Sequence, residues 1–233
     1  MARMPPRPWP ELVNDRDDAM VPIREWAAAA PFAVEILPCD PAAGQRTVEA
    51  LQVSTRSPLG GLAYHTGGLL IDGGWLRVLG AGSVRLPRAV DTWNGIGQAG
   101  LRCPEGLLIA DDAAGGFFAW FNEPRTVHYL APDTLKWEDI GRGYTDWLAA
   151  MLTEDLGKFY AELRWPGWQD EVRALEGSHA MGFQPFLWSK GPPIEQRSRH
   201  PVPVEELWRL ALYLARELAD LPDGAEVEIK LDK

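Results

Sequence analysis

Cysteine and histidine are scarce in this sequence, and long apolar runs are missing. The 233 residues include only two cysteines, Cys39 and Cys103, too few for the disulfide framework of a secreted domain. None of the four histidines stands in a metal-binding spacing such as HExxH, so we expect no metal. No run approaches the ~20 apolar residues of a membrane helix, and the Pro-rich start lacks the apolar core of a secretory signal. We therefore expect two free thiols in a soluble, cytoplasmic protein that has no membrane partner.

Signatures of cofactor and nucleophile chemistry are also missing. The stretch GAGSVR at residues 80–85 lacks the third glycine of a dinucleotide-binding loop and the βαβ frame around it. A hairpin turn is the better interpretation, and we predict no cofactor. No serine lies in a GxSxG elbow. Acidic residues number 33 against 23 basic ones, a formal charge of −10, which disfavours nucleic acid and favours a basic protein as partner.

Short apolar runs separated by glycine fill the middle of the chain. This punctuation is typical of consecutive antiparallel strands joined by tight turns. Helical periodicity precedes the runs and follows them, and no linker-like tract divides the chain. We predict a single α+β domain over residues 1–233, with a central, mostly antiparallel sheet flanked by helices at both ends of the chain and a mobile arm at 1–9. The predicted strands are 62–65, 69–72, 75–79, 107–111, 117–121 and 127–130, with a further short strand in 135–140.

Two consecutive aspartates, Asp111 and Asp112, stand at the end of one predicted strand. Paired carboxylates can act as acid and base or bind a metal, whereas an aspartate at a strand end commonly caps a hairpin through the neighbouring backbone. His65 and His128 fall in predicted strands and could face each other. An enzyme acting on a small molecule or carbohydrate through Asp111, Asp112 and His128 is therefore one alternative, and structural roles for all three are the other.

Tryptophan is abundant, with eleven residues. Most should be core, but we expect Trp165 and Trp168 in RWPGW to be exposed and to bind a partner, since tryptophan supplies large contact area. Arg197 and Arg199 form a basic cluster in a long predicted loop, 176–200, where they could grip a carboxylate or phosphate or be solvated. Exposed aromatic rings would also fit a homodimer.

Several segments resemble a known family. The runs SPLGGLAYHTGGLLIDGGWLRVLGAG, LLIADDAAGGFFAWF and FYAELRWPGW together resemble DUF2625, an uncharacterised bacterial family without a known activity. The order of elements, an N-terminal helix, a strand meander and a helix beginning near YTDWL, is more distantly similar to the SUKH superfamily. That similarity implies an immunity-type protein that binds a toxin. We accordingly predict a non-enzymatic cytoplasmic binding protein whose partner is a protein such as a toxin.

Overall fold

The computed structural model describes residues 5–97 and 102–218. Within these residues helices and strands follow one another along the chain, with two short 3₁₀ turns at Asp72–Gly74 and Ile194–Gln196. The helices are α1 Trp9–Leu12, α2 Met20–Ala29, α3 Pro41–Leu51, α4 Pro58–His65, α5 Val90–Trp93, α6 Tyr144–Met151, α7 Asp155–Phe159, α8 Trp168–Arg173 and α9 Val204–Leu218. The strands are β1 Val34–Leu37, β2 Gly68–Ile71, β3 Leu76–Leu79, β4 Gly106–Asp112, β5 Phe117–Phe121, β6 Val127–Leu130, β7 Trp137–Asp139, β8 His179–Gln184 and β9 Ser198–Pro203.

Seven strands form one antiparallel sheet in which spatial order equals chain order, β1 to β7. The predicted antiparallel meander and the α+β class are therefore confirmed. Gly73 and Gly74, with φ of 70° and 94°, form the turn between β2 and β3. A side chain at such φ values is strained, which is why glycine stands there. GAGSVR was predicted to be a hairpin turn. In the structure it instead begins the connection from β3 to α5.

Residues 62–65, predicted as the first strand of the meander, are instead the end of helix α4. Ser57 caps this helix by accepting a hydrogen bond from the Gly60 N–H at 3.1 Å, and Pro58 occupies the first turn, where proline is tolerated. Gly60 packs against the preceding backbone so closely that a Cβ would lie 2.1 Å from the Ser54 carbonyl oxygen. Glycine therefore serves helix packing here, and the sheet begins earlier, at β1.

The segment 176–200, predicted as a loop, contains a second, two-stranded sheet of β8 and β9. Proline at positions 201 and 203 of β9 obscures the strand pattern, since proline cannot donate a ladder hydrogen bond. Phe183 on β8 is buried in the main core, and Phe186 stacks on Trp188 with ring centroids 5.6 Å apart. The prediction of a loop without strands was therefore wrong for this segment.

Different elements pack on the two faces of the main sheet. The first face carries Ile71, Val78 and Phe118 and packs against α2, α6, α7 and α8 in the largest hydrophobic cluster. The second face carries Leu70, Phe117 and the side chain of Asp111, and it packs against the 80–97 connection and α9. Because side chains alternate along a strand, neighbouring residues of β4 enter different environments.

The described part of the N-terminal arm contacts the rest of the chain. In the predicted mobile arm, the Arg7 N–H donates to Gln52 Oε1 at 2.8 Å and the Trp9 ring stacks on Tyr64 at 6.2 Å. Residues 1–4 of that arm and residues 219–233 lie outside the described residues. Of the helices described, none has the length and apolarity needed to cross a bilayer.

Candidate functional site

The two predicted catalytic aspartates point to opposite faces of the sheet. Asp111 lies beside Arg77 of β3 in the strand register, whereas Asp112 lies beside Leu76. Both aspartates are buried, with 1% and 0% of their surface exposed. A shared acid–base or metal site at this pair would need the two carboxylates on one face, so the backbone register separates them.

Asp111 is the centre of a buried charge cluster with Arg77 and Arg88. Both guanidinium groups form ion pairs with its carboxylate. Each arginine also donates to backbone carbonyls: Arg77 to His179 and, at 3.0 Å, to Asp112, and Arg88 to Gly177 at 2.9 Å. Burial lowers the pKa of Arg77, which the neighbouring Asp111 carboxylate opposes. The cluster therefore fastens the start of β8 to the main sheet.

Asp112 has every oxygen engaged. Its Oδ1 accepts from the Ala114 and Gly116 backbone N–H groups, both at 2.9 Å, and its Oδ2 accepts from the hydroxyls of Tyr129 at 2.7 Å and Tyr160 at 3.1 Å. Burial raises the pKa of Asp112, and the hydrogen bonds from Tyr129, Gly116 and Tyr160 oppose that rise. This is the hairpin-capping role that was one of the two predictions for the pair, extended by two tyrosines.

His128 does not join either aspartate. Its ring stacks on Phe121 with centroids 4.0 Å apart, and in the strand register it lies opposite Asp139. His65 lies at the end of α4 and contacts Asp18 at 2.6 Å, so the two histidines do not face each other as predicted. Asp111, Asp112 and His128 therefore occupy three separate environments, and the structure offers no shared cleft for an acid–base mechanism using all three.

Trp165 and Trp168 are buried, with 1% and 9% of their surface exposed, so the expectation that they are exposed was wrong. Both rings contact Trp75, at centroid distances of 5.5 and 4.9 Å. The Arg164 guanidinium lies 4.3 Å from the Trp168 ring centroid and pairs with Asp72 at 2.6 Å. RWPGW thus builds a core corner where aromatic and cation–π contacts stabilise the turn into α8.

Arg197 and Arg199 are both committed to contacts within the chain. Arg197 donates to the carbonyls of Pro185, Phe186, Ser189 and Pro192 and so closes the loop after β8. Arg199 forms a two-pronged pair with Glu171 at 2.7 and 2.6 Å and lies 4.9 Å from the Trp165 ring centroid. The hydrogen bonds from Arg199 lower the pKa of Glu171. The predicted basic cluster therefore connects β9 to α8 and to the loop.

A surface that combines carboxylates with aromatic rings lies at β7, the last strand in the sheet order. On the second face the half-buried Phe121 ring contacts His128 and, at 5.2 Å, Trp137. Asp139 is exposed on this face, opposite His128 in the strand register, whereas the exposed Glu138 projects to the first face, opposite Tyr129. A hydrogen bond from the Gly141 N–H lowers the pKa of Asp139, so this carboxylate is charged at neutral pH. We call these five residues the β7 surface.

Charge near the β7 surface is predominantly negative. The exposed ionisable residues between 121 and 140 are the acids Glu123, Asp133, Glu138 and Asp139 and the bases Arg125 and Lys136. A tryptophan followed by two acids in LKWEDI was the sequence signal for this surface, but sequence alone did not separate Trp137 from the ten other tryptophans. Among the described residues no three histidine, cysteine, aspartate or glutamate side chains come together as metal ligands would.

The two cysteines differ in accessibility, and this gives a testable prediction. Burial, reinforced by the Glu105 carboxylate, raises the pKa of Cys103 to about 12, whereas Cys39 is half-buried and has a pKa raised mainly by burial. Since the thiolate is the reactive form, an aromatic disulfide reagent at mildly alkaline pH should label only Cys39 in the native protein and both thiols in denaturant. Cys39→Ser should leave the native protein unlabelled. Native labelling of that variant at the wild-type rate would contradict the assignment.

The proteins to which this chain is similar are of unknown function. The family "Protein of unknown function DUF2625" matches residues 9–207. The chain is 40% identical to the uncharacterized protein YbfG of Escherichia coli K12 over 206 residues, covering 86% of this chain and 93% of that protein. It is 34% identical to an uncharacterized protein of Haemophilus influenzae over 204 residues, covering 84% and 89%. No solved structure matches the chain.

Proposed function

Because the chain belongs to the DUF2625 family of unknown function, we propose a role from its own surface: a non-enzymatic, cytoplasmic protein of the immunity type, which binds a basic protein through the β7 surface. The observation that carries this proposal is that three partly buried rings, Trp137, Phe121 and His128, lie next to the exposed Asp139 on one face of the last strand of the sheet. The exposed Glu138 lies on the other face of the same strand. The distant similarity of element order to the SUKH superfamily suggests a toxin as the basic partner.

Two physical arguments support a binding role over the enzyme alternative. The carboxylates of Asp111 and Asp112 are already held by arginine, tyrosine and backbone donors, so a substrate would have to displace those contacts. At the β7 surface, in contrast, the rings of Phe121 and Trp137 pack against the core but keep part of their surface exposed, and the carboxylates of Glu138 and Asp139 are exposed. Aromatic residues at the centre of an interface supply most of its affinity, and surrounding charges steer encounter and select the partner.

The proposal predicts a partner whose binding weakens at high salt and depends on the negative charge of β7. We expect the full chain, used as bait in a lysate of its native host, to retain a basic protein at low salt and to lose much of it at high salt. The double reversal Glu138→Lys with Asp139→Lys should weaken that association about tenfold or more, because like charges would meet across the interface. The measurement is a titration of the purified partner against each variant.

The matched control is the same charge change at Glu11 of α1 and Glu25 of α2, Glu11→Lys with Glu25→Lys, since both acids are exposed and α2 contacts β1, at the opposite end of the sheet from β7. This variant should keep the association within about twofold at physiological salt, where charges more than a Debye length of ~8 Å away are screened. Equal losses in the two double variants would mean that only the overall charge matters. That result, or the recovery of no basic protein at either salt concentration, would refute the proposed interface.

A further inference from the structure

A cleft with a volume of about 280 Å³ lies on the second face of the sheet, over β2 and β3. Leu70 and Arg77, which are partners in the strand register, contribute to its floor, and Gly73 and Gly74 lie at one end. The walls come from the connection 84–87 and from the segment 172–178 that Arg77 and Arg88 fasten to the sheet. Ligand pockets of ~300–1,000 Å³ are common, so this volume fits a small molecule.

The lining is basic although the whole chain is acidic. Three arginines, Arg77, Arg85 and Arg173, line the cleft, and Glu176 is the one carboxylate among its lining residues. The chain carries a formal charge of −10. Each of these arginines has a carboxylate partner, but Arg77 shares Asp111 with Arg88, which leaves one cation in excess at the floor of the cleft. Low-dielectric walls concentrate the field of such a charge, so an anion can be attracted there although the whole molecule is acidic.

The two outer arginines are available to a ligand. Arg85 pairs with Glu35, and Arg173 pairs with Asp170 at 3.0 Å, but all four of these side chains are about half exposed or more. Exposed ion pairs contribute at most about 1 kcal/mol, so an anion in the cleft can exchange with Glu35 or Asp170 at little cost. Arg77 is 98% buried but lines the cleft, and the Asp111 carboxylate that it contacts is shared with Arg88. Part of its positive charge is therefore left for a bound oxyanion.

The rest of the lining is apolar. Leu70, Val84, Pro87, Val172 and Leu175 provide hydrocarbon surface next to the arginines, and Val84 is fully exposed at the rim. An exposed apolar side chain beside a cleft gains when a ligand covers it. We propose that this cleft binds a small organic oxyanion, a carboxylate or phosphate monoester with a short apolar body, with the oxyanion against Arg77, Arg85 and Arg173. This site is separate from the β7 surface and does not depend on the proposed protein partner.

Titration calorimetry with four probes tests the chemistry. Hexyl phosphate and hexanoate carry both parts of the proposed ligand, inorganic phosphate carries only the anion, and hexanol carries only the apolar body. We expect saturable binding of hexyl phosphate or hexanoate, about tenfold tighter than that of hexanol or inorganic phosphate. The tighter of the two amphipathic anions identifies the head group. If neither binds saturably, or if hexanol binds as well as both, the site is refuted.

Matched variants test the location. Arg85→Gln with Arg173→Gln should weaken the best probe about tenfold or more, whereas Arg56→Gln with Arg209→Gln, the same charge change at exposed arginines that do not line the cleft, should leave the affinity within about twofold. Val84→Asp adds a negative charge at the exposed rim and should also weaken binding, whereas Val84→Ser should not. Urea unfolding midpoints equal to wild type establish that each variant is folded. Equal affinities for the cleft variants and the control pair would overturn the proposal.

Discussion

Replacing Asp111 by asparagine should lower the free energy of unfolding by about 3–5 kcal/mol, the largest single effect we expect in this protein. The substitution keeps the shape of the side chain but removes the negative charge that two buried guanidinium groups share. Arg77 and Arg88 would then be buried cations without a counterion, while still holding the carbonyls of His179 and Gly177. Urea denaturation followed by tryptophan fluorescence measures the loss.

The control for this experiment is Asp170→Asn. Asp170 also pairs with an arginine, Arg173, at 3.0 Å, but its side chain is 88% exposed. Since an exposed pair contributes at most about 1 kcal/mol, this variant should unfold at nearly the wild-type urea concentration. If Asp111→Asn costs no more than Asp170→Asn, the buried cluster does not hold β8 to the sheet in the way described.

The second large effect is expected at Gly116, next to the carboxylate of Asp112. A Cβ at this position would lie 2.2 Å from the Tyr129 hydroxyl and 2.5 Å from Asp112 Oδ2. Gly116→Ala must therefore displace the tyrosine or the aspartate and leave buried polar groups without partners. We expect a loss of about 2–4 kcal/mol in unfolding free energy, from overpacking and from the broken hydrogen bonds together. The same urea experiment measures it.

Gly157→Ala provides the matched control, because it is the same substitution in open space. Gly157 lies within α7, and a Cβ there would meet nothing within 4 Å. Alanine favours a helix over glycine by about 0.8–1.0 kcal/mol, so this variant should be as stable as wild type or slightly more stable. A neutral Gly116→Ala would mean that the Asp112 network can rearrange freely, and the packing argument would then fail.

Strands could be predicted from the sequence where glycine or polar turn residues mark both of their ends. The strands at 117–121 and 127–130 were predicted with the bounds the structure has, since glycine and polar turns flank short apolar runs there. α4 could not be separated from a strand in the same way. Its eight residues contain two glycines and four apolar side chains, and only the Ser57–Pro58 start marks a helix. Such local signals are short, and the packing of Gly60 against Ser54 becomes evident only in three dimensions.

The functional residues were predicted less well, because exposure is not a local property. RWPGW and WED both contain tryptophan beside polar residues, yet Trp165 lies under Arg199 and against Trp75, whereas Trp137 stays half exposed at the end of the sheet. The arginines of the cleft come from residues 77, 85 and 173, which no sequence spacing connects. They meet because α8 packs beside the turn 72–74 that leads into β3, close to the end of β3 that carries Arg77.

Apolar runs, glycine turns and helical stripes are properties of neighbouring residues, so the α+β class and the meander could be predicted from them. The acidic character follows directly from the composition. The tertiary structure decided which charges are buried in pairs, which tryptophans remain exposed and where a cleft is left. Those outcomes depend on residues far apart in the chain, such as Arg88 with Gly177 or Arg199 with Glu171, whose contacts form only when the elements pack. A buried charge needs a partner, and packing between distant segments sets which residue that partner is. A local sequence pattern does not indicate it.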